Sequence, residues 1–264
     1  MIRRLAERFS RDRVLRRRLP RRFDRAPIFV SPDSALSYWF ASLQSLGGDL
    51  FDFAEHFLSP GDVAWDVGAN VGLFTFAAAQ VTGPEGMVVA VEPDNFCVSL
   101  LRKTTSIPFP ERAKIEVIPV AMNDAVDLLD FHIAGRGRSS SHLANSEGNS
   151  QAGGVRRRVQ VPAVTMDWLL ERRPAPSVVK IDVEGAETNV LKGAGKLLSE
   201  TRPVLLVEVG RSRSADVTGC LQGHAYRMFD WETRTGNEVE GAPFSTLALP
   251  EERAPAWLEG QLGR

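Results

Sequence analysis

The stretch from Val63 to Phe76, Val-Ala-Trp-Asp-Val-Gly-Ala-Asn-Val-Gly-Leu-Phe-Thr-Phe, leaves the chain few ways to fold. An apolar run ends in Asp66, a turn with glycines at 68 and 72 follows, and an apolar helical pattern starts at once. That is a strand, a tight turn and a helix start, which together offer backbone N–H groups and a positive dipole end to a ligand. The spacing is Asp66-x-Gly68-x-Asn70-x-Gly72, not the Gly-x-Gly-x-x-Gly of a dinucleotide fold, because Asn70 and Leu73 replace two of its glycines. A carboxylate before the turn suits a cationic ligand with an amino group better than a diphosphate.

Downstream the same logic recurs. Met87–Val91 is a continuous apolar run that ends in Glu92, 24 residues beyond Gly68, where a βαβ nucleotide site places the acid that receives ribose hydroxyls. Ser177–Ile181 leads into Asp182-Val183-Glu184-Gly185-Ala186-Glu187, with a helix expected from about Glu187, and Pro203–Val207 ends in Glu208. Lys114–Val120 reads as a strand followed by Ala121-Met122-Asn123-Asp124. Further strands are expected at 127–133, 159–164, 226–229 and 245–249, and helices at 95–105, 168–172 and 211–222. Continuous apolar strands alternating with helical patterns imply an α/β, Rossmann-like, doubly wound and mostly parallel sheet. Asp66, Glu92, Asp182 and Glu208 then converge on the rim outside the strand ends, where open sheets bind ligands.

Charge divides the chain. Residues 1–25 hold eleven Arg against three acids, a net of +8, which leaves the rest at −9 because the whole chain is −1. The arm is expected to be a solvated, helical or disordered extension, joined by a Pro27–Pro32 linker to a helical cap over residues 34–58. The chain then divides into 1–58, a catalytic domain at 59–250 and a tail at 251–264. The acidic body argues against a nucleic-acid partner. No run approaches the roughly eighteen apolar residues that cross a bilayer. Cys97 and Cys220 lack disulfide or zinc spacing, so a cytoplasmic setting is expected. The polar segment at 135–158 reads as a lid or a plain insertion, with His142 as its one histidine and a candidate acid/base.

Three strings together go beyond architecture: Trp65-Asp66-Val67-Gly68-Ala69-Asn70-Val71-Gly72, Val91-Glu92-Pro93 and Lys180-Ile181-Asp182-Val183-Glu184-Gly185-Ala186-Glu187. With Val164-Thr165-Met166-Asp167 and Pro203–Glu208, they resemble the FkbM family of methyltransferases over residues 60–250. The resemblance implies a class I methyltransferase fold, S-adenosylmethionine as donor, and O-methylation of a sugar, polyketide or other secondary metabolite. The donor would meet Asp66, Gly68, Ala69, Asn70, Gly72 and Asp182, with Glu92 on the ribose and Asn123 near the adenine.

An alcohol is a poor nucleophile near neutral pH, so a base or metal is expected beside it. Asp182 and Glu184 are the first candidates, with Lys180 and Glu187 orienting them, then Glu208, then His142 and His224. Ligation of Mg²⁺ by these oxygens is left open, as is a homo-oligomer. A nicotinamide-dependent oxidoreductase and a non-catalytic donor-binding module are the rival readings.

Overall fold

The computed structural model describes residues 9–144 and 153–262; parts of the arm, the polar segment and the tail lie outside these. Its frame is a seven-stranded sheet: β3 (Val63–Val67), β4 (Met87–Val91), β5 (Lys114–Ile118), β10 (Val178–Ile181), β11 (Val204–Glu208), β12 (Tyr226–Asp230) and β13 (Ser245–Pro250). They lie in the order β12-β13-β11-β10-β3-β4-β5, with β13 antiparallel to both neighbours and the other pairs parallel. The doubly wound, mostly parallel sheet expected from the sequence is the one observed.

Side-chain alternation explains why both faces must be covered. Ala64, Val88, Ala90, Val178 and Leu206 face one apolar cluster, whereas Trp65, Val89, Val91, Val179 and Leu205 face another. Each strand therefore buries successive residues on opposite sides, as period-2 geometry requires. On the first face pack α1 (Leu43–Phe57), α2 (Leu73–Thr82) and α3 (Asn95–Thr105). On the second pack α4 (Met166–Leu170), α5 (Glu187–Lys192) and α6 (Ser214–Gly223). Caps set several starts: Asp94 accepts from the Phe96 N–H at 2.9 Å and Thr165 from the Trp168 N–H at 2.9 Å.

One stretch differs from expectation, and two others gain detail. The arginine arm forms a strand, β1 (Leu15–Arg18), paired antiparallel with β2 (Pro27–Val30), so the supposed linker is a strand whose Ile28 and Val30 are wholly buried. The Arg17 guanidinium holds this ribbon by donating to the Tyr38 and Ala41 carbonyls at 2.7 and 2.8 Å. The region at 34–58 is helical, but in two parts, a 3₁₀ turn at Leu36–Trp39 and then α1, kinked at Gly47. The tail contains α7 (Ala254–Leu262), whose Trp257 packs on Phe229 with ring centroids 4.6 Å apart.

A second sheet grows from the carboxyl side of β5. It holds β6 (Ala121–Met122), β7 (Asp127–Ala134), β8 (His142–Leu143) and β9 (Val155–Val164) in the order β6-β9-β7-β8. Arg156, Arg157 and Arg158 are thus strand residues, not loop; Arg157 and Arg158 pair with β7, and Arg156 falls at a bulge. Phe131, Leu143 and Ala121 on this sheet pack with Ala186 and Val183, which lowers it onto the strand ends. Among the described residues no helix is long and apolar enough to cross a membrane.

Candidate active site

The turn after β3 is shaped by what surrounds it. Gly68 has φ of +77°, and a Cβ there would run into the Asp182 carbonyl, so only glycine lets the β3 and β10 turns touch. Asn70 takes φ of +51°, a conformation that asparagine tolerates better than most residues. Its N–H donates to Glu92 Oε2 at 2.7 Å, and its side-chain oxygen accepts from the Ser34 hydroxyl at 2.5 Å. Glu92 Oε1 accepts from the Asp94 N–H at 2.8 Å, which fixes the carboxylate plane.

These residues open on a cavity of 290 Å³ bounded by the strand ends below and the second sheet above. Gly68, Asn70, Glu92, Asp182, Glu184 and Glu208 line it, and Met122, Phe131 and Leu143 form an apolar wall. Burial outweighs the two backbone N–H donors and pushes the Glu92 carboxyl up to about 7. Over the cavity lies Arg138, which also lines it. Its guanidinium bridges Asp33 at 2.8 Å and Asp94 at 2.9 Å, and stacks 4.5 Å from the Phe96 ring centroid. Arg156 adds a contact to Asp33 at 2.9 Å. Burial opposes ionisation of Asp33, but the two guanidiniums outweigh it and hold its carboxyl below the usual range.

At the end of β10 the backbone is strained. Glu184 has φ of +54° and Gly185 of +98°, a left-handed pair between Asp182 and the start of α5. Burial, then the charges of Asp182, Glu208 and Glu187, pushes Glu184 up to about 8. Burial and then Asp182 push Glu208 up to about 7, although its edge is open to solvent. Glu187 is buried, accepts from the Gly185 N–H at 2.7 Å, and is raised too, by burial first. Lys180 anchors the group: Nζ lies 2.8 Å from the Gly68 carbonyl, 3.3 Å from Asp66 Oδ1 and 3.4 Å from Asp182 Oδ2. Burial alone would lower the lysine, but Asp66, Asp182 and Glu208 outweigh it and hold it charged.

A second cavity, of 450 Å³, begins where the first ends. Asp182 and Glu208 line both. Its other walls are the Gly47–Gly48 kink of α1, Leu206, Glu232 and Phe244. Gly47 matters because a Cβ there would press on Phe51 and Leu73.

Several expected contacts lie elsewhere. Asp66 is wholly buried and does not line the cavity; Oδ2 accepts from the Thr75 N–H at 3.0 Å and hydroxyl at 2.5 Å, and Oδ1 faces Lys180. It acts on the turn from behind. Ala69 and Gly72 also point away, and a Cβ on Gly72 would meet Phe76 and Leu101. Asn123 accepts from the Asn189 amide at 3.1 Å and lines a separate 560 Å³ cavity, leaving Met122 on the wall. His142 is turned off the cavity by strand alternation, between the lining Ser141 and Leu143, and packs edge-on to His132 at 5.5 Å. His224 caps α6 through the Cys220 carbonyl at 2.9 Å, on neither cavity. Among the described residues, no three His, Cys, Asp or Glu side chains gather at metal-ligand spacing.

Sequence reasoning did not point to Ser34, which donates to Asn70, or to Cys97 and Arg138, which line the first cavity. Nothing in Gly-Arg-Gly-Arg marks the second arginine as the one that folds over a cavity.

Comparison with known proteins gives the family. The chain is 28% identical over 164 residues to the hexuronic acid methyltransferase AglP of Haloferax volcanii, covering 61% of either chain, so it spans about three-fifths of that relative's length. Among solved structures, methyltransferase FkbM of Methylobacillus flagellatus is 18% identical with a TM-score of 0.47, covering 75% of this chain and 50% of that one. A precorrin-6y C5,15-methyltransferase of Geobacter metallireducens is 14% identical with a TM-score of 0.43, covering 78% and 86%. Residues 66–231, which run from the Asp66 turn to the end of β12, match the methyltransferase FkbM domain, and the chain belongs to that family.

Proposed function

We propose that this methyltransferase uses S-adenosylmethionine to methylate a hydroxyl of a small acceptor. The observation that carries the reading is the meeting of two cavities at Asp182 and Glu208. The first cavity fits the donor: a buried Glu92 carboxylate fixed by two N–H groups faces it, and the Gly68 turn leaves room for close backbone approach. Glu92 would take the ribose hydroxyls, Met122, Phe131 and Leu143 the adenine ring, and Asp182 with the Gly68–Asn70 backbone the amino-acid end. When bound, S-adenosylmethionine supplies an electrophilic methyl group on sulfonium.

The chain's own work is to orient a hydroxyl and take its proton. Glu184 and Glu208, raised to about 8 and 7, are bases poised near neutral pH, where proton transfer from a poor nucleophile is most effective. Asp182 stands between them, with Lys180 setting its direction. Glu184 sits in a positive-φ conformation, which costs of order 1–3 kcal/mol.

The test is methyl transfer from labelled S-adenosylmethionine to a panel of hydroxylated acceptors, with Glu208→Gln and Glu184→Gln beside the wild type. Loss of turnover by at least tenfold with donor affinity kept is the expected outcome. Unchanged rates in both variants would remove these carboxylates from the chemistry.

A further inference from the structure

The walls of the second cavity bear on what the acceptor is. Four carboxylates reach it, from Asp49, Asp182, Glu208 and Glu232, whereas Lys180 is the one cation lining it among the described residues. That lysine is already engaged by Asp66, Asp182 and the Gly68 carbonyl. The nearby Arg234 is held at 2.7 Å by both Asp49 and Asp52, and it stacks on Trp231. Among the described residues no lining cation is therefore left to receive an anionic group, and an acceptor carboxylate would face carboxylates.

The same walls suit hydroxyls. Ionised carboxylates accept hydrogen bonds and donate none, so a ring with several O–H donors matches them. Phe244 leaves 57% of its surface exposed at this cavity, a flat apolar face for the C–H side of a sugar ring. Leu46 and Leu50 on α1 give a further apolar edge.

We propose that the second cavity takes a polyhydroxylated ring without a carboxylate, a neutral or amino sugar unit, stacked on Phe244 and bonded through its hydroxyls to Glu232 and Glu208. This inference rests on the methyltransferase reading above, and it parts this chain from the hexuronic acid named for its relative.

The experiment compares methyl glucoside, methyl glucosaminide and methyl glucuronide. Formation of S-adenosylhomocysteine gives kcat/KM for each, and saturation-transfer NMR reads sugar binding independently of turnover. Titration of each variant with S-adenosylmethionine reports whether the donor site is intact. The neutral and amino sugars are expected to exceed the glucuronide at least tenfold. Glu232→Lys should narrow that ratio at least threefold, and Phe244→Ala should abolish the NMR signal while donor binding is kept. A glucuronide used as well as the glucoside, or no sugar bound while the donor still titrates, overturns the assignment. Failure of the donor to bind would instead sink the methyltransferase reading itself.

Discussion

The ammonium of Lys180 lies 2.8 Å from the Gly68 carbonyl, although 112 residues separate them. Through this contact the end of β10, which carries Asp182, is tied to the turn that lines the donor cavity. The same ammonium neutralises Asp66, which has no exposure to water.

Lys180→Met should therefore damage both stability and binding. Removing one partner from a buried charge pair costs about 3–5 kcal/mol, because the other charge is left without compensation. Thermal unfolding should shift down by roughly 10 °C, at 2–4 °C per kcal/mol for a chain of this size. Donor affinity should fall with it. A variant with wild-type melting and binding would contradict the anchoring role.

Gly68→Ala tests the contact of the two turns. Its Cβ has no room beside the Asp182 carbonyl, and φ of +77° is unfavourable for alanine besides. A stability loss of at least about 1–3 kcal/mol is expected, with loss of donor binding. Gly61→Ala, also at positive φ but with open space around it, should lose stability and keep the donor.

Arg138 lines the first cavity and ties Asp33 to Asp94. Arg138→Met leaves Asp94, 3% exposed, without its guanidinium, while Asp33 keeps Arg156. If the cavity holds the donor, calorimetry should show affinity at least tenfold weaker, about 1.4 kcal/mol, because the Asp33–Arg138–Asp94 bridge that borders the cavity is lost. Equal affinity would mean that the network only braces the second sheet.

Activity and stability should respond to pH in opposite directions. The proposed bases are raised to about 7 and 8, so kcat should climb between pH 6 and 9 and level off above, with apparent constants that belong to the coupled carboxylates together. For the ligand-free protein, Glu92, Glu184 and Glu208 bind protons more tightly when folded. Between about pH 4.5 and 8 the folded state then holds more protons than the unfolded one, and stability falls as pH rises. Melting temperature should decline by a few degrees from pH 5.5 to 8.5, and Glu92→Gln should flatten that slope. A slope unchanged in Glu92→Gln would show that Glu92 ionises freely in the fold.

The sheet was legible because most of its parallel strands are short, largely apolar runs with a carboxylate at or just beyond the end, as in β4, β10 and β11; β5, Lys-Ile-Glu-Val-Ile, is the exception. Gly68, Asn70, Glu92, Asp182, Glu184 and Glu208 were readable for that reason, and they meet on one cavity. Strand-end position says nothing of direction, and the Asp66 oxygens turn inward to Thr75 and Lys180. The side on which His142 lies is likewise set by a two-residue strand that no local pattern marks. The arginine arm hid a strand because Arg17 is half-buried through carbonyl contacts 21 and 24 residues away, a partnership that composition does not encode.

The central claim is that the Glu92-lined cavity binds S-adenosylmethionine. Calorimetric titration of wild type and Glu92→Ala with this donor, and separately with NAD⁺, tests it most directly. The account predicts saturable donor binding, at least tenfold weaker in Glu92→Ala, or about 1.4 kcal/mol, and no comparable binding of NAD⁺. Absence of donor binding, tighter binding of NAD⁺, or donor affinity indifferent to Glu92 would contradict it.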